Sequence, residues 1–580
     1  MKTSIERKVS APGPKSFAPP QAGFSDHLDT SLFLVAVATI AVVIGLFRTD
    51  PETVGDFGLV PAIPLYGLAA FVLLIGLALH SVLRTDFVER RAALTVGSLV
   101  TFVSAAPPIV YDTVRFGWTY KHVGVTDFVL RNGSLDRQDD VLGIYHNWPG
   151  LFAGSASLVE WMGLSNALLL ATWSPVALNL MTLGGVVYLS GALTDSRRNV
   201  WLGALVFFGA NWIGQDYYSP QALAYVLFLA VLGLALRYFR PTSLLLPGTA
   251  VYLSLILMIS AIAVSHQLTP MVLFVALLGL QVAGQIRAWW LPAFTALATA
   301  GWMISFASPY VEANLVGIAN DFGSPVGNAA ETLAKATIRN DAQVWVAAAG
   351  RGSLILVLSL AGLGLVIRQE RRSNVLTPLA LLAAPAVMIV MAFGGEILFR
   401  VALFMLPVLA LLAAETIRHD TSTSGQWLVG LPCVALLFAS LSLASFGKDN
   451  FYTFSTNEVD VVAELSEVAP AGSLLIEGSR NYPAQFLNYE KFVYVPIDRE
   501  NLESQQSIQE APADVLFEWL SNDAYESGFV LLTRSQQRNA LALGTLPPEF
   551  LPEVESALRA DHRFHALIDT PEAVVFERRP

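Results

Sequence analysis

The sequence has little charge and almost no cysteine. Charged residues make up 14% of its 580 residues, whereas soluble proteins carry about 25%. Cys433 is the single cysteine, which excludes an intramolecular disulfide and a metal site built from cysteines. The sequence also lacks the H-E-x-x-H, H-x-x-E-H, G-x-S-x-G and Walker-type patterns. The common signatures of zinc proteases, α/β-hydrolases and P-loop enzymes are therefore missing.

Long apolar runs take the place of the missing charge, because 54% of the residues are hydrophobic. Runs of roughly 17 residues or more are candidate membrane spans. A soluble helical core would need amphipathic faces, which these runs do not have. We therefore predict an α-helical polytopic membrane protein with about thirteen transmembrane helices. The predicted limits are 31–47, 59–83, 92–111, 168–193, 200–213, 220–236, 243–264, 270–286, 289–309, 352–367, 375–393, 398–417 and 427–446.

Basic residues predict the orientation of these helices. They gather in the N-terminal tail and in every second short connection, including Arg90, Arg197, Arg240, Arg368 and Arg418. Because cytoplasmic loops carry the excess of lysine and arginine, we expect the N-terminus to lie in the cytoplasm of a bacterial cell. Thirteen spans then place the C-terminal region outside the cell membrane.

The chain divides into three predicted parts. Residues 1–30 form a proline-rich, disordered cytoplasmic tail. Residues 31–446 form the transmembrane domain, with long outer loops at 111–164 and 310–351. We expect short helices along the membrane interface in the first loop and a helix at 329–337 in the second. In residues 447–580, helix-like segments alternate with strand-like segments, which predicts a small extracytoplasmic α/β domain. The five predicted strands are 472–477, 491–497, 528–533, 564–568 and 573–577. This last part holds 22 acidic and 10 basic residues, so a nucleic-acid partner is not expected.

The first outer loop carries polar residues at both of its ends. Asp112 follows a predicted span by one residue, where a low dielectric and few waters would suit a general base. The other candidate substrate-binding residues of this loop are cations, histidines and tryptophans: Arg115, Trp118, Lys121, His122, His146 and Trp148. Tryptophan is also common at membrane interfaces without any function in binding, and an aspartate at a helix end is often simply solvated. Both interpretations stay open.

Three shorter outer segments add further candidates. Asp216 is a second candidate catalytic residue, in a tight turn with the candidate substrate-binding residues Gln215 and Tyr217. The candidate substrate-binding residues of the other two segments are His266, Gln267, Glu396 and Arg400.

Arg400 has two possible roles. Glu396 and Arg400 are four residues apart and can pair on one helical face, or Arg400 can grip a phosphate through its planar guanidinium. The carboxylates Asp112, Asp216 and Glu396 could also share a divalent ion such as Mg²⁺ or Mn²⁺. The sequence neither demands nor excludes this cofactor.

Five segments of the chain carry a family resemblance: WTYKH, YHNWPG, WIGQDYYSPQA, SHQLTP and GGEILFR. They are similar to segments of an uncharacterised, actinobacterial-type group of bacterial membrane proteins linked to surface-polysaccharide synthesis. The arrangement of many spans, a large first outer loop and an outer α/β tail resembles the GT-C superfamily of membrane glycosyltransferases. The resemblance implies a sugar donor linked to polyprenyl phosphate, used on the outer face, with Asp112 in the position of the catalytic base.

The function expected from this resemblance is sugar transfer to a glycan, lipid or protein acceptor at the cell surface, with membrane lipids around the bundle. One alternative is a polysaccharide polymerase or ligase, which often has paired arginines in its outer loops. Arg115, Arg131 and Arg137 are not spaced in that way. Another alternative is a transporter or flippase of lipid-linked saccharides. Such proteins have ionisable residues at mid-membrane and repeated halves, and we find few of the former and none of the latter.

Two outcomes test these expectations. Asp112, Asp216, His266 and Glu396 should converge in one outward-opening cavity above an apolar groove, and coordinates that hold them far apart would remove the site. The substitution Asp112→Asn should abolish sugar transfer while expression stays intact. Undiminished transfer would remove Asp112 as the base.

Overall fold

Helices make up most of the chain in the computed structural model, which describes residues 30–139, 141–321, 341–390, 397–419 and 422–579. Each of the thirteen predicted spans overlaps a described helix. These helices are Thr30–Phe47, Leu65–Leu83, Glu89–Val110, Leu168–Leu193, Arg197–Ala210, Pro220–Tyr238, Thr249–Ser265, Thr269–Val282, Trp290–Ile304, Asp341–Glu370, Leu376–Val387, Ile397–Ile417 and Thr423–Phe446. The predicted fold class, a polytopic helical membrane protein with a small C-terminal sheet domain, is confirmed.

The number of membrane crossings stays a prediction. Among the described residues, eight helices are long and apolar enough to cross a membrane. A ninth is reached if Trp290–Ile304 and Ser308–Asn314, which meet at a bend of 77°, count as one broken span. Thr249–Ser265, Thr269–Val282 and Leu376–Val387 are apolar but shorter.

The basic connections of the predicted cytoplasmic side meet at one end of the bundle. Arg197 pairs with Glu89 from another connection. Arg368 forms two hydrogen bonds of 2.6 Å with Glu415, and both side chains are buried. One end of the bundle is therefore rich in arginine, and the outer loops lie at the opposite end.

The outer loops contain helices of their own. Gly117–Asn132, Gly143–Asn147 and Gly150–Met162 follow the third span. We expected this segment to lie along the membrane interface, but the structure buries much of Gly117–Asn132 beneath the C-terminal domain. In the second predicted outer loop, Ser308–Asp321 is helical and the next span already begins at Asp341. The helix predicted at 329–337 lies outside the described residues.

The described C-terminal part contains one five-stranded sheet. The strands are β1 Ser473–Glu477, β2 Phe492–Pro496, β3 Gly528–Thr533, β4 Phe564–Asp569 and β5 Ala573–Arg578. Their order in the sheet is β2-β1-β3-β5-β4. The strands β1, β2 and β3 are parallel, whereas β5 is antiparallel to both β3 and β4. The helices are Asp449–Tyr452, Thr456–Val468, Leu502–Glu510, Pro512–Leu520, Arg534–Leu543 and Phe550–Ala560. Buried apolar side chains cover both faces of the sheet.

Two glycines fix this sheet domain on the outer-loop helix. A Cβ at Gly117 would lie 2.8 Å from the carbonyl oxygen of Tyr482, and a Cβ at Gly124 would lie 2.2 Å from that of Phe486. Both positions share a helical face with Lys121, because they lie four residues before it and three after it. The loop after β1 therefore packs backbone against backbone on this face. Next to it, Tyr120 packs edge-on against Phe486 with ring centres 5.2 Å apart.

We expect Gly124→Ala to loosen the C-terminal domain, because its methyl group would overlap main-chain oxygens that cannot move aside as a flexible side chain can. The expected loss is about 3 kcal/mol of unfolding free energy, measured by thermal unfolding and by protease release of the C-terminal part. Gly154→Ala is the matched control, since its Cβ would meet nothing within 4 Å. Equal stability of the two variants would contradict the proposed packing.

Candidate active site

A cavity of about 1630 Å³ lies between the helical bundle, the first outer loop and the C-terminal domain. Apolar side chains of three membrane helices form one part of its wall, including Val103, Val346 and Phe438. Polar side chains from both the outer loop and the C-terminal domain form another part. A single cavity thus offers an apolar surface and a strongly polar one.

The charges on the cavity wall are very unequal. Among the described residues, Asp216 is the one acidic side chain that lines the cavity. Seven cations line it: Arg115, Lys121, Arg351, Arg400, Lys448, Arg480 and Arg499. Charges of one sign in a cleft with low-dielectric walls concentrate ligands of the opposite sign. The cavity therefore suits an anionic ligand with an apolar part.

Asp216 accepts a hydrogen bond but has no described ion pair. Its Oδ2 accepts a hydrogen bond of 2.7 Å from Asn179, on the neighbouring span. Within the described part of the chain, we find no lysine or arginine nitrogen within 4.0 Å of its carboxylate. Asp216 also borders a second, smaller pocket of about 60 Å³, lined by Pro107, Thr113 and Thr172 among others. A half-buried carboxylate that two pockets reach is placed to take a proton from a bound hydroxyl group.

Arg400, Gln221 and His266 supply three kinds of hydrogen-bond donor to one region of the wall. Arg400 donates from Nη1 to Oε1 of Gln221 at 2.7 Å. This bond orients the buried Gln221 amide, whose Nε2 has no partner among the described residues. The Nδ1 of His266 accepts from the backbone N–H of Thr269 at 3.2 Å, so the ring proton belongs on Nε2. Guanidinium, amide and imidazole N–H groups on one part of a wall suit the oxygens of a phosphate.

His122 is held as a neutral, oriented ring. Its Nδ1 lies 2.7 Å from the carbonyl oxygen of Tyr218, which can only accept, so Nδ1 carries the proton. The ring stacks on Tyr217 at an interplanar angle of 3°. Burial lowers the pKa of His122 to about 4, so the ring is uncharged at neutral pH and its Nε2 is an acceptor. His122 can thus receive a hydrogen bond from a sugar hydroxyl group.

Lys121 is a buried ammonium group without a carboxylate partner. The residue is 3% exposed, and Nζ lies 4.1 Å from the centre of the Trp118 ring. No hydrogen bond or ion pair joins Nζ to any other described residue. Burial, and then the charge of Arg480, lower the pKa of Lys121 to about 7. Burying an uncompensated charge is costly, so this lysine is more easily explained by a ligand than by stability.

Arg115 lines the cavity but its charge is already compensated. Its Nη2 lies 2.5 Å from Oδ1 of the buried Asp449 and 2.7 Å from the carbonyl oxygen of Ser445. The next residue, Phe116, has φ of +67°, which is uncommon for a residue with a side chain. Its ring packs against Tyr217 and Tyr452. Arg115 and Phe116 therefore join the outer loop to the C-terminal part more than they bind substrate.

Most of the sequence-predicted site residues meet in this cavity. Those lining it are Arg115, Trp118, Lys121, His122, Trp148, Gln215, Asp216, Tyr217, His266, Gln267 and Arg400. Asp112 is exposed and is not among the described lining residues, and neither is His146. His146 is instead buried against Tyr489, with its Nε2 2.5 Å from the hydroxyl oxygen. Glu396 lies outside the described residues.

The divalent ion considered from the sequence stays a prediction. Among the described residues, no three side chains of His, Cys, Asp or Glu gather as metal ligands. Asp112 does not join Asp216 in the cavity wall, so of the three carboxylates considered, Asp216 is the one described there.

Sequence reasoning missed the C-terminal contribution to the site. Arg480 follows β1 by three residues, and Arg499 follows β2 by three residues. These strands are parallel neighbours, so their carboxyl ends lie at one edge of the sheet, where α/β domains place ligands. That signal was present in the sequence. The contact of this edge with the outer loop was not.

Known proteins resemble this chain in structure rather than in sequence. No protein-family model and no curated protein matches the sequence. The oligosaccharyltransferase of Archaeoglobus fulgidus, crystallised with a tethered acceptor peptide, matches with a TM-score of 0.50 and 12% identity, covering 79% of this chain and 72% of that one. The chain shares the fold of that oligosaccharyltransferase. At this identity the likeness concerns the fold alone.

Two further GT-C glycosyltransferases match at lower TM-scores. ArnT from Cupriavidus metallidurans, bound to undecaprenyl phosphate, has a TM-score of 0.48 and 11% identity, covering 83% of this chain and 97% of that one. The arabinofuranosyltransferase AftD from mycobacteria has a TM-score of 0.47 and 12% identity, covering 92% of this chain and 40% of that one. This chain thus spans less than half the length of AftD.

The buried Lys121 predicts a pH-dependent stability. Its pKa of about 7 in the folded state lies below its ordinary value of 10.5, so between these values the unfolded chain binds more protons. The free energy of unfolding should therefore rise with pH across this window. Lys121→Met should lack that rise, and Lys121→Arg should lack it too because its charge does not titrate. Melting temperatures at pH 6.5, 8 and 9.5 measure it, and parallel curves for all three proteins would contradict it.

Proposed function

We propose that this protein is a membrane glycosyltransferase that takes a sugar from a polyprenyl-phosphate donor and transfers it to a cell-surface glycan, lipid or protein. One observation carries the proposal: a single cavity joins the apolar walls of membrane helices to a chamber that, in the described part of the chain, seven cations and one carboxylate line. A polyprenyl chain needs the apolar wall, its phosphate needs cations, and the acceptor hydroxyl group needs a base. The GT-C fold and the five resembling segments support the same reading.

The proposed orientation follows from the charge distribution. The arginine-rich end of the bundle would face the cytoplasm, since basic loops stay on that side. The cavity and the C-terminal domain would then lie on the outer face of a bacterial cell membrane. Lipid-linked sugars that have been moved to the outer leaflet would be the donors there.

The proposed donor site is formed by Arg400, Gln221 and His266. All three line the cavity and present N–H donors, and a guanidinium matches phosphate oxygens in pairs. The negative charge on the phosphate grows as the bond to the sugar breaks. Donors already oriented by the protein stabilise that charge in the transition state more than in the ground state. This supports a role in expelling the phosphate as well as in binding.

The proposed chemistry is a direct displacement. The acceptor oxygen forms a bond to the anomeric carbon while the bond from that carbon to the phosphate oxygen breaks, and the electron pair leaves with the phosphate. Asp216 takes the proton of the acceptor hydroxyl group. Attack opposite the leaving group inverts the anomeric centre. His122 and Gln215 would orient the sugar through hydrogen bonds.

Asp216→Asn should lower the turnover rate by roughly 10²–10⁴-fold, the usual contribution of a general base, with little change in donor binding. The amide keeps the size of the side chain and can still accept from Asn179. Transfer of labelled sugar from the lipid fraction of membranes to envelope glycan measures it. Asp112 is exposed and is not among the described lining residues, so Asp112→Asn is the matched control and should retain activity. Loss of activity in Asp112→Asn with full activity in Asp216→Asn would exchange the two roles.

Arg400→Gln should weaken the binding of farnesyl phosphate, a short soluble analogue of the donor lipid, by roughly tenfold or more. Loss of one charge-assisted hydrogen bond accounts for a change of that size. Calorimetry on the full chain in lipid nanodiscs would measure the affinity. Arg131→Gln is the control, because Arg131 pairs with Asp127 and Glu490 and is not among the described lining residues. Equal affinities for both variants would remove Arg400 from the donor site.

A further inference from the structure

The cavity wall has cations from the bundle, from the outer loop and from the C-terminal domain. Arg400 belongs to the bundle, where it donates to Gln221. Lys121 belongs to the outer loop, and the charges of Arg480, Glu477 and Arg499 in the C-terminal domain act on it. We name Lys121, Arg480 and Arg499, together with Gln485, the roof subsite.

The cations of the roof subsite have spare hydrogen-bond donors. Lys121 is 3% exposed and has no carboxylate partner in the described chain. Arg480 donates from Nε to Oε1 of Glu477 at 3.1 Å, and its two Nη groups have no further described partner. Arg499 is exposed toward the cavity and forms no described ion pair.

Two carboxylates act on these cations. Glu477 is fully buried and accepts from Arg480, and from the hydroxyl group of Tyr482 at 2.5 Å. The charge of Asp498 acts on Arg499 and Arg480, but Asp498 forms no described ion pair with either. Two carboxylates against three cations still leave an excess of positive charge among the described residues of the roof subsite, and the cost of that excess falls when an anion binds.

Gln485 adds a polar group that fits a saccharide. It is 3% exposed, lines the cavity and has no partner for Oε1 among the described residues. Its φ of +55° is unfavourable for a residue with a side chain, so packing on Gly124 must hold it there. A buried amide oxygen without a partner is rare unless water or a ligand completes it. A sugar hydroxyl group is a suitable donor.

We propose that the roof subsite binds an acidic group, a carboxylate or a phosphate, on the acceptor, so that the acceptor is an acidic saccharide. This inference rests on the proposed glycosyltransferase function, in which the single phosphate of the donor is held by Arg400, Gln221 and His266. The anion of the roof subsite is then a second one, bound at the same time. It would place the acceptor hydroxyl group within reach of Asp216.

Binding to the full chain in lipid nanodiscs tests the roof subsite directly. The probes are oligosaccharides that end in glucuronate, glucose 6-phosphate or glucose, and the two lipids farnesyl phosphate and farnesyl diphosphate. Wild-type protein should bind both acidic saccharides roughly tenfold or more tightly than the neutral one. Lys121→Met should remove that preference and leave the affinity for farnesyl phosphate within about twofold of wild type.

Matched variants separate charge from folding. Lys121→Arg keeps the charge and should retain the preference for acidic saccharides, and Arg131→Gln removes a cation from the same helix outside the cavity and should also retain it. Lys121→Met should unfold at a temperature no lower than that of wild type at pH 6.5. A preference that survives in Lys121→Met, or is absent from wild type, would overturn the proposal.

The two lipid probes distinguish the other source of a second anion. If wild type binds farnesyl diphosphate far more tightly than farnesyl phosphate and Lys121→Met does not, the roof subsite holds a second donor phosphate and the acceptor assignment is wrong. The proposed function fails in a different way: neither lipid would bind, whatever the saccharides do. A loss of farnesyl phosphate binding in Lys121→Met would move Lys121 into the donor site and also overturn the proposal.

Discussion

Contact between the outer-loop helix and the loop after β1 is the constraint on which the rest of the site depends. Gly117 and Gly124 lie one helical turn on either side of Lys121, and neither position leaves room for a Cβ. The approach of the two backbones closes the cavity on its outer side. It also buries Lys121 beside Arg480, an arrangement that no single segment of the chain would favour. The two glycines allow the close backbone contact, and that contact buries the charge of Lys121.

The charges on the cavity wall indicate which kind of ligand the cavity favours. Of the described residues, seven cations and one carboxylate line it. Arg115 and Arg480 pair with Asp449 and Glu477 outside the wall, whereas Lys121 has no described carboxylate partner. A buried cation of that kind reduces stability, and proteins retain one where a ligand supplies the missing charge. The polar end therefore favours anions, and the apolar wall would suit a hydrocarbon chain on one of them. A bundle that only supported the membrane domain would need neither property.

Much of the fold follows from the sequence, because apolar length and strand alternation are local properties. The thirteen apolar runs became helices and the five predicted strands appear with small changes at their ends. The sequence also predicted that the outer turns with Asp216 and His266 meet, since alternating connections share one end of a bundle. The sequence did not predict that Asp112 is exposed outside the cavity wall. A shift of one residue after a helix decides whether a side chain faces a cavity or water. The contributions of Arg480 and Arg499 depend on a contact between parts of the chain more than 350 residues apart, which the local pattern does not encode.

The excess of cations has a consequence for the end of the proposed catalytic cycle. A phosphodiester donor carries one negative charge, but the carrier lipid left after sugar loss is a phosphate monoester, whose second pKa of about 6 gives it nearly two charges at neutral pH. In the proposed reaction, the wall that attracts the donor would therefore hold the spent carrier more strongly. Turnover would then be governed by the departure of that lipid, so the enzyme would slow down whenever the membrane's pool of unloaded carrier accumulates.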